Sequence, residues 1–324
     1  LLDTSNPRAF RPINRAYNSV FRPGRLSIGL VVPLEAYPHV PAPTMEQHSE
    51  RAQLAERLGF SALWLRDVPF NVPSFGDAGQ MFDPFVYLGY LGARTSRIAL
   101  GAASIVLPLR HPAHVAKAAA SADVLTGGRL LLGIASGDRP EEYPAMDKEF
   151  ENRGERFRDS VTYIRRMAES YPAFESGHGS PYGMDMLPKP EGGRLPLLIT
   201  GGSRQHPDWV AEHGDGWMTY PRNVTDQARV VSDYRSRLED GGQPDKPVMQ
   251  SLYIDLAEEP DTAPRPIHLG FRSGERPLLA YLKKLEEIGV NHVALNLRFN
   301  RAEIEPTLER LARVVMPAFA DQGQ

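Results

Sequence analysis

The chain has 324 residues, with 37 Lys plus Arg against 40 Asp plus Glu, a formal net charge of −3 and no cysteine. That balance leaves no basic excess for gripping nucleic acid. The missing thiols exclude disulfides, thiolate nucleophiles and sulfur-ligated zinc.

No apolar run approaches the roughly 20 residues of a membrane span. Residues 1–25 are polar, carry Pro7, Pro12 and Pro23, and lack the apolar stretch of a signal peptide. A cytoplasmic protein with no membrane or nucleic-acid partner is expected, in keeping with the absence of cysteine. The expected division is an N-terminal arm over 1–25 and one domain over 26–324. A single α/β barrel needs about 250 residues and tolerates insertions.

Short apolar runs alternate with longer amphipathic ones. Residues 26–32 (LSIGLVV) read as a buried strand. A helix is expected over 44–58, because Thr44 and Gln47 have capping-box spacing and Gly59 stands at the end. Ala62–Leu65 is a second strand, and a Pro- and Gly-rich loop covers 66–80. Asp83 and Pro84 suit an N-cap and first helical position for a helix to about residue 94. A third strand covers 98–107, and Pro112–Leu125 is an alanine-dense helix. Gly127 and Gly128 then turn the chain into a fourth strand, Leu130–Ala135.

A long loop over 136–152 precedes a charged helix over 155–170. Residues 171–194 show no periodicity, contain Pro172, Pro181, Pro188 and Pro190, and read as an insertion. Strand Leu197–Thr200 follows with a helix over 207–212, then a strand over 217–220 with a helix over 225–238. Strand Val248–Leu256 leads through a proline-containing loop, 257–274, to a helix over 276–288. A strand over 292–297 and a helix over 304–315 end the pattern. Eight strand–helix pairs with near-continuously apolar strands imply parallel pairing and helical crossovers. An open doubly wound sheet suits the same alternation. Eight units without a composition break favour an α/β fold closed as a (β/α)8 TIM barrel with insertions in βα loops.

In such a barrel, chemistry collects where strands end. The residues there are Glu35, then Arg66 and Asp67, then Ser104 within its strand, then Ser136, Gly137, Asp138 and Arg139. Further along come the run 201–206, Tyr220 with Arg222, Asp255, and Asn296 with Arg298. The run Gly201, Gly202, Ser203, Arg204, Gln205 and His206 is the sharpest signal. Glycines let backbone N–H groups approach an anion, the next helix adds unpaired donors, and Arg204 can pair with a phosphate. The plain alternative is a turn in which Ser203 or His206 caps that helix. Likewise Ser104 reads as a satisfied core hydroxyl, Arg66 and Asp67 as a salt bridge, and Arg153, Arg156 and Arg158 as a solvated helix face.

Rival chemistries find less. The nine histidines include His111 and His114 at metal-binding spacing, but no carboxylate stands beside them in sequence, so no metal is expected. Neither a Gly-x-Ser-x-Gly elbow nor a dinucleotide glycine fingerprint occurs. Glu35, Glu142 and Asp255 are candidate glycosidase carboxylates that sequence alone does not pair.

Taken together, the runs GAASIVLPLRHPAHVA (101–116), ADVLTGGRLLLGIASG (122–137) and GGSRQHPDWVAEHGDGW (201–217) resemble the bacterial-luciferase-like monooxygenase family. The segments WLRDVP (64–69), FGDAGQMFDP (75–84) and SGDRP (136–140) are similar to its luciferase-type oxidoreductase subgroup. The resemblance covers about residues 26–316.

The resemblance implies a (β/α)8 barrel binding FMN, or a deazaflavin in some branches. It implies phosphate contacts from Arg153 and Ser203, with Arg204, Gln205 and His206 in the same loop. It places Ser136 and Gly137, with Asp138, at the flavin-lining end of the fourth strand, and Ala103–Ser104 where a non-prolyl cis peptide stands beside the ring. One departure matters. Luciferases carry a catalytic histidine after the second strand, where this chain reads Arg66-Asp67-Val68-Pro69. Arg66 and Asp67 become the candidates for substrate or proton handling.

The expected activity is an FMN-dependent monooxygenase using reduced flavin and dioxygen on a small-molecule substrate, with a separate flavin reductase as a candidate partner. A non-catalytic flavin-binding protein and a deazaflavin oxidoreductase are the alternatives. The loops at 66–82 and 171–194 are expected to cover the site. A homodimer is expected through the small residues of Pro112–Leu125.

Overall fold

The structure is a computed structural model and describes residues 9–320. Eight parallel strands follow one another around a closed cylinder: β1 (Ser27–Val31), β2 (Ala62–Leu65), β3 (Ala99–Val106), β4 (Leu130–Ala135), β5 (Leu197–Thr200), β6 (Gly216–Thr219), β7 (Val248–Leu256) and β10 (His292–Asn296). A hairpin of β8 (Arg265–Ile267) and β9 (Gly270–Ser273) sits between the last two in sequence. Closure comes from β10, which pairs in parallel with both β1 (Ser27 opposite His292) and β7 (Met249 opposite His292).

The helices, in chain order, are α1 (Arg15–Val20), α2 (His48–Arg57), α3 (Pro84–Arg94), α4 (Pro112–Leu125), α5 (Glu142–Ala145), α6 (Arg153–Arg166), α7 (Pro207–His213), α8 (Val224–Asp240), α9 (Glu275–Glu287) and α10 (Ile304–Arg310). Eight of them cross back over the barrel wall, as right-handed strand–helix–strand units require. The outer core is the leucine- and valine-rich layer between strands and helices. No helix among the described residues is long and apolar enough to cross a membrane.

Four local expectations change. The helix expected from residue 44 begins at His48, because Gln47 adopts a left-handed backbone (φ 53°) and gives no side-chain cap. Glu35 instead ties down the preceding turn, accepting from the amides of Thr44 (2.8 Å) and Met45 (3.0 Å). The loop 257–274 holds the β8–β9 hairpin. At nine residues β7 overruns its neighbours, and β9 pairs in parallel with the projecting end, Tyr253–Leu256. The loop 136–152 contains α5, whose Tyr143 is fully buried. The insertion 171–194 does not lie over the strand ends. It runs along the outer wall, where Ser176 bonds Asp159 of α6 (3.0 Å), and reaches the barrel floor, where the Glu191 amide bonds Asp123 (3.0 Å).

The alanines of α4 are also engaged: Ala116, Ala119, Ala120 and Ala122 are buried within the chain's own wall. Ala113, Ala118 and Ser121 of the same helix stay half-buried.

The segment before β1 contributes structure of its own. Ile13, Ala16, Tyr17, Val20 and Phe21 pack into the floor of the cylinder against Val31, Trp64, Leu131 and Met249. A polar chain runs through this floor. The Trp64 indole can only donate, so His292 Nε2 accepts from it (2.8 Å). The remaining proton of a neutral imidazole then sits on Nδ1 and goes to Ser27 Oγ (2.6 Å), which donates to the Val20 carbonyl (2.8 Å). Burial depresses the His292 pKa to about 3.

Between about pH 6.5 and 3 the unfolded chain therefore binds a proton at His292 that the native state refuses, so stability falls with falling pH through this window. We expect His292→Gln to remove up to about 1.4 kcal/mol per pH unit of that acid slope. Urea midpoints of both proteins across pH 4 to 7 measure it, and parallel slopes would contradict the assignment.

Candidate active site

The turn after β5 is built around a left-handed backbone. Gly201, Ser203 and Arg204 have φ of 55°, 43° and 60°. Gly201 still joins the barrel, its amide bonding the Met218 carbonyl (2.8 Å), and the Gln205 amide closes the turn on the Gly202 carbonyl (2.8 Å). Between them the amides of Gly202, Ser203 and Arg204 donate to no acceptor among the described residues. Three successive unengaged N–H groups in such a turn form a concave anion-binding nest. Ser203 Oγ donates to the Thr200 carbonyl (2.8 Å), which fixes the turn from below.

The first turn of α6 meets this nest directly. A Cβ at Gly154 would lie 2.9 Å from Arg204 Cβ, so only glycine permits the approach. Gln205 Nε2 bonds the Gly154 carbonyl (2.7 Å) and its Oε1 accepts from Arg158 (3.1 Å). Arg153, one residue before Gly154, lies over the Phe150 ring (3.5 Å) and gives Nη1 to the Phe150 carbonyl (2.8 Å). Its Nε is buried and bonds no protein atom. The helix N-terminus adds a positive end to the same place. His206, by contrast, is exposed and acts as the α7 cap, its Nδ1 accepting from the Asp208 amide (3.4 Å).

A second group lines the mouth between β3, β4 and β6. The Ala103–Ser104 peptide is cis. Ser104 Oγ is in hydrogen-bond contact with Thr200 Oγ1 and lies 3.7 Å from Met218 Sδ. The Tyr143 hydroxyl bonds the Ser136 carbonyl and sits against Gly137 (φ 78°), while Asp138 is exposed at the rim.

The third group hangs on Asp77, a residue the sequence did not single out. Its Oδ2 accepts from Arg66 Nη1 (2.7 Å) and pairs with Arg298 Nη1 (2.7 Å), and its Oδ1 takes the Gly79 amide (2.7 Å). Arg139 Nη2 donates to its carbonyl (3.2 Å). Ends of β2, β4 and β10 are thus tied to one point of the loop 66–82, which lies over the barrel mouth. Burial opposes the Asp77 charge, but Arg66 and Arg298 outweigh it and hold the carboxyl below its usual range. Burial, and next the neighbouring Arg66, hold Arg139 below its ordinary value.

Asp67 stands apart from this group. Its buried carboxylate accepts from the Val106 amide (3.1 Å) and from Arg110 Nε (2.9 Å) and Nη2 (2.7 Å). The expected Arg66–Asp67 pair does not form, because consecutive residues leaving a strand point to opposite sides. Asp255 is likewise paired, with Arg272 (2.7 Å) and Arg301 (3.2 Å), and Glu35 braces its turn, so neither serves as a free glycosidase carboxylate. His111 caps α4 through Nδ1 (3.2 Å).

Glu142 is buried 3.6 Å from Arg139 Nη1. Burial is the main cause that pushes its carboxyl up to about 7, against the pull of Arg139. From about pH 4.5 to 7 the native state then holds a proton that the unfolded chain has released, so this group's contribution falls as pH rises. We expect Glu142→Gln to raise the melting temperature at pH 8 relative to wild type, with the gap closing near pH 4.5. Thermal unfolding of both proteins at the two pH values decides it.

These three groups share one rim, and known proteins have the same arrangement of strands. A family model described as luciferase-like monooxygenase matches residues 26–313. An uncharacterized protein of Mycobacterium tuberculosis is 29% identical over 238 residues, covering 68% of this chain and 82% of that protein. The F420-dependent hydroxymycolic acid dehydrogenase of the same organism is 27% identical over 202 residues, 59% of this chain and 53% of that one.

Among solved structures, monooxygenase RslO1 from Streptomyces bottropensis matches with a TM-score of 0.75 and 19% identity, over 91% of this chain and 100% of that chain. The oxygenating constituent of 3,6-diketocamphane monooxygenase from Pseudomonas putida, in complex with FMN, matches at 0.69 and 14%, over 91% and 99%. At such identities the structures speak to the fold alone, whereas the family model spans most of the sequence. The chain belongs to the luciferase-like monooxygenases, a family of flavin-dependent oxidoreductases.

Proposed function

We propose that this chain is an FMN-dependent monooxygenase that uses reduced flavin and dioxygen on a small organic substrate. The observation that carries the reading is the nest of free amides at Gly202, Ser203 and Arg204, set against the N-terminus of α6 at Gly154, next to Arg153 in sequence. Those donors suit the dianionic phosphate of FMN. Gly201 shapes the turn, and Gln205 locks it to α6. Arg204, exposed at its edge, adds positive charge within reach of solvent, and His206 stands exposed beside it.

Ser104, Ser136, Gly137 and Asp138 would line the isoalloxazine ring. When bound, the flavin supplies the electron transfer and oxygen activation that no side chain here can perform. The protein's part is to hold the ring, to position substrate through Arg66, and to keep water out beneath the loop 66–82. Asp67 acts on this loop from behind, by fixing Arg110.

A deazaflavin is the second reading, favoured by the relatedness to an F420-dependent dehydrogenase. A separate flavin reductase as electron donor belongs to the FMN reading. The exposed Phe82, Val86 and Tyr90 beside and along α3 support a homodimer, which sedimentation tests.

Binding of FMN and riboflavin, read by flavin fluorescence, separates phosphate recognition from ring recognition. We expect wild type to prefer FMN by about tenfold or more, and Arg153→Ala to lose most of that preference while riboflavin affinity stays constant. A wild type that binds neither FMN nor F420, or an unchanged preference in the variant, would reject the reading.

A further inference from the structure

The Asp77 cluster is unbalanced. Three guanidinium groups, from Arg66, Arg139 and Arg298, converge on a single aspartate. The other carboxylate in contact, Glu142, accepts no hydrogen bond through its buried Oε1. The cluster therefore holds a surplus of buried positive charge at the barrel mouth. Buried charge without a partner is costly, so such a surplus calls for an anion from outside the chain.

Each member keeps an unpartnered donor, with Arg139 Nη1 and Arg298 Nε buried, and Arg66 keeps a whole Nε–Nη2 edge. Only its Nη1 is engaged, by Asp77, while Nε and Nη2 bond no protein atom. Arg298 uses Nη1 on Asp77 and Nη2 on the Gly76 carbonyl (3.1 Å), and Arg139 faces Phe75 (4.2 Å) and Glu142. The Arg66 guanidinium is also held in place. A Cβ at Gly79 would lie 2.8 Å from Nη1 and 3.0 Å from Cζ, so the bare lid backbone presses on it from above. The Arg66 amide donates to Gln80 Oε1 (3.1 Å), which fixes the base of the side chain. Around it stand Tyr253 and Tyr220, both within electrostatic reach, whose hydroxyls bond no protein group.

We propose that the open Nε–Nη2 edge of Arg66 is the docking point for a carboxylate on the substrate. Two parallel N–H groups in one plane match the two oxygens of a carboxylate. The phenols of Tyr220 and Tyr253, within electrostatic reach of the guanidinium, are two further donors. The substrate class is thus a small organic acid whose anionic end sits at Arg66 and whose remaining body lies toward the ring-lining serines. This deepens the monooxygenase reading and rests on it for the word substrate, though the anion site itself does not depend on bound flavin.

Calorimetric titration with matched probes tests it. Octanoate is compared with octanamide, and phenylacetate with phenylacetamide, on wild type, Arg66→Gln and Arg66→Lys, each with FMN added and the visible flavin spectrum recorded first. We expect each acid to bind wild type about tenfold or more tightly than its amide. That preference should vanish in Arg66→Gln and return in part in Arg66→Lys, with amide affinity and flavin spectrum the same in all three. Acid and amide that bind wild type alike, or that both fail to bind, overturn the proposal. So does a preference that survives in Arg66→Gln, and so does loss of flavin from that variant, which would assign Arg66 to the cofactor. Wild type that takes up no flavin defeats the monooxygenase reading instead, and titration of the flavin-free protein still reads the acid preference.

Discussion

Every feature of the mouth depends on the closure of the cylinder by β10. That strand bonds β1 on one side and β7 on the other, all in parallel. Parallel closure leaves no choice about where the polar strand ends go: all eight reach one rim. Residues as far apart in sequence as Arg66, Arg139 and Arg298 then meet within hydrogen-bond range of one loop residue. The opposite rim is closed by the segment around α1, whose Tyr17, Val20 and Phe21 fill it from below. The two ends therefore divide the labour, one carrying stability and the other chemistry.

The rim is shaped by backbone more than by side chains. At 201–204 the left-handed turn withholds three amides from the protein and offers them outward. At Gly154 the missing Cβ lets a helix N-terminus close on that turn. Side chains refine the arrangement: Gln205 ties turn to helix, while Arg153 at the start of that helix bonds the Phe150 carbonyl. Hydrogen bonds from Gln205 to Gly154 and from Ser203 to Thr200 tie these elements to one another.

Charge is arranged differently in the lid. There a buried aspartate gathers three arginines, which fastens the loop 66–82 but leaves positive charge in excess. Arg110, shared by Asp67 and Asp83, forms a separate group that anchors the same loop behind the site. One residue along the strand exit thus separates a group with an open edge from a group that is fully engaged.

The sequence by itself determined eight alternating strand–helix units, which favour the barrel that the pairing of β10 with β1 and β7 closes. Strand runs such as 26–32 and Leu130–Ala135 are almost continuously apolar, as a sheet covered on both faces requires, and their alternation with helices implies parallel order. It also marked the turn after Leu197–Thr200, because Gly-Gly-Ser before a helix is a local signal, and Gly201, Ser203 and Arg204 adopt a left-handed backbone there.

Tertiary structure decided what local pattern does not encode. Asp77 sits in a loop without periodicity, and its three partners come from three strand ends. The hairpin Arg265–Ile267 and Gly270–Ser273 exists because β7 overruns its neighbours, not because its own residues alternate. The helix expected from Thr44 lost its first turn to the carboxylate of Glu35, a contact nine residues upstream. Nor did sequence alone separate Arg66 from Asp67 or place 171–194 on the outer wall. The physical reason is common to these cases: local propensity is worth tenths of a kcal/mol per residue, while a buried charge pair or a free ladder edge is worth more and is fixed only when distant segments meet.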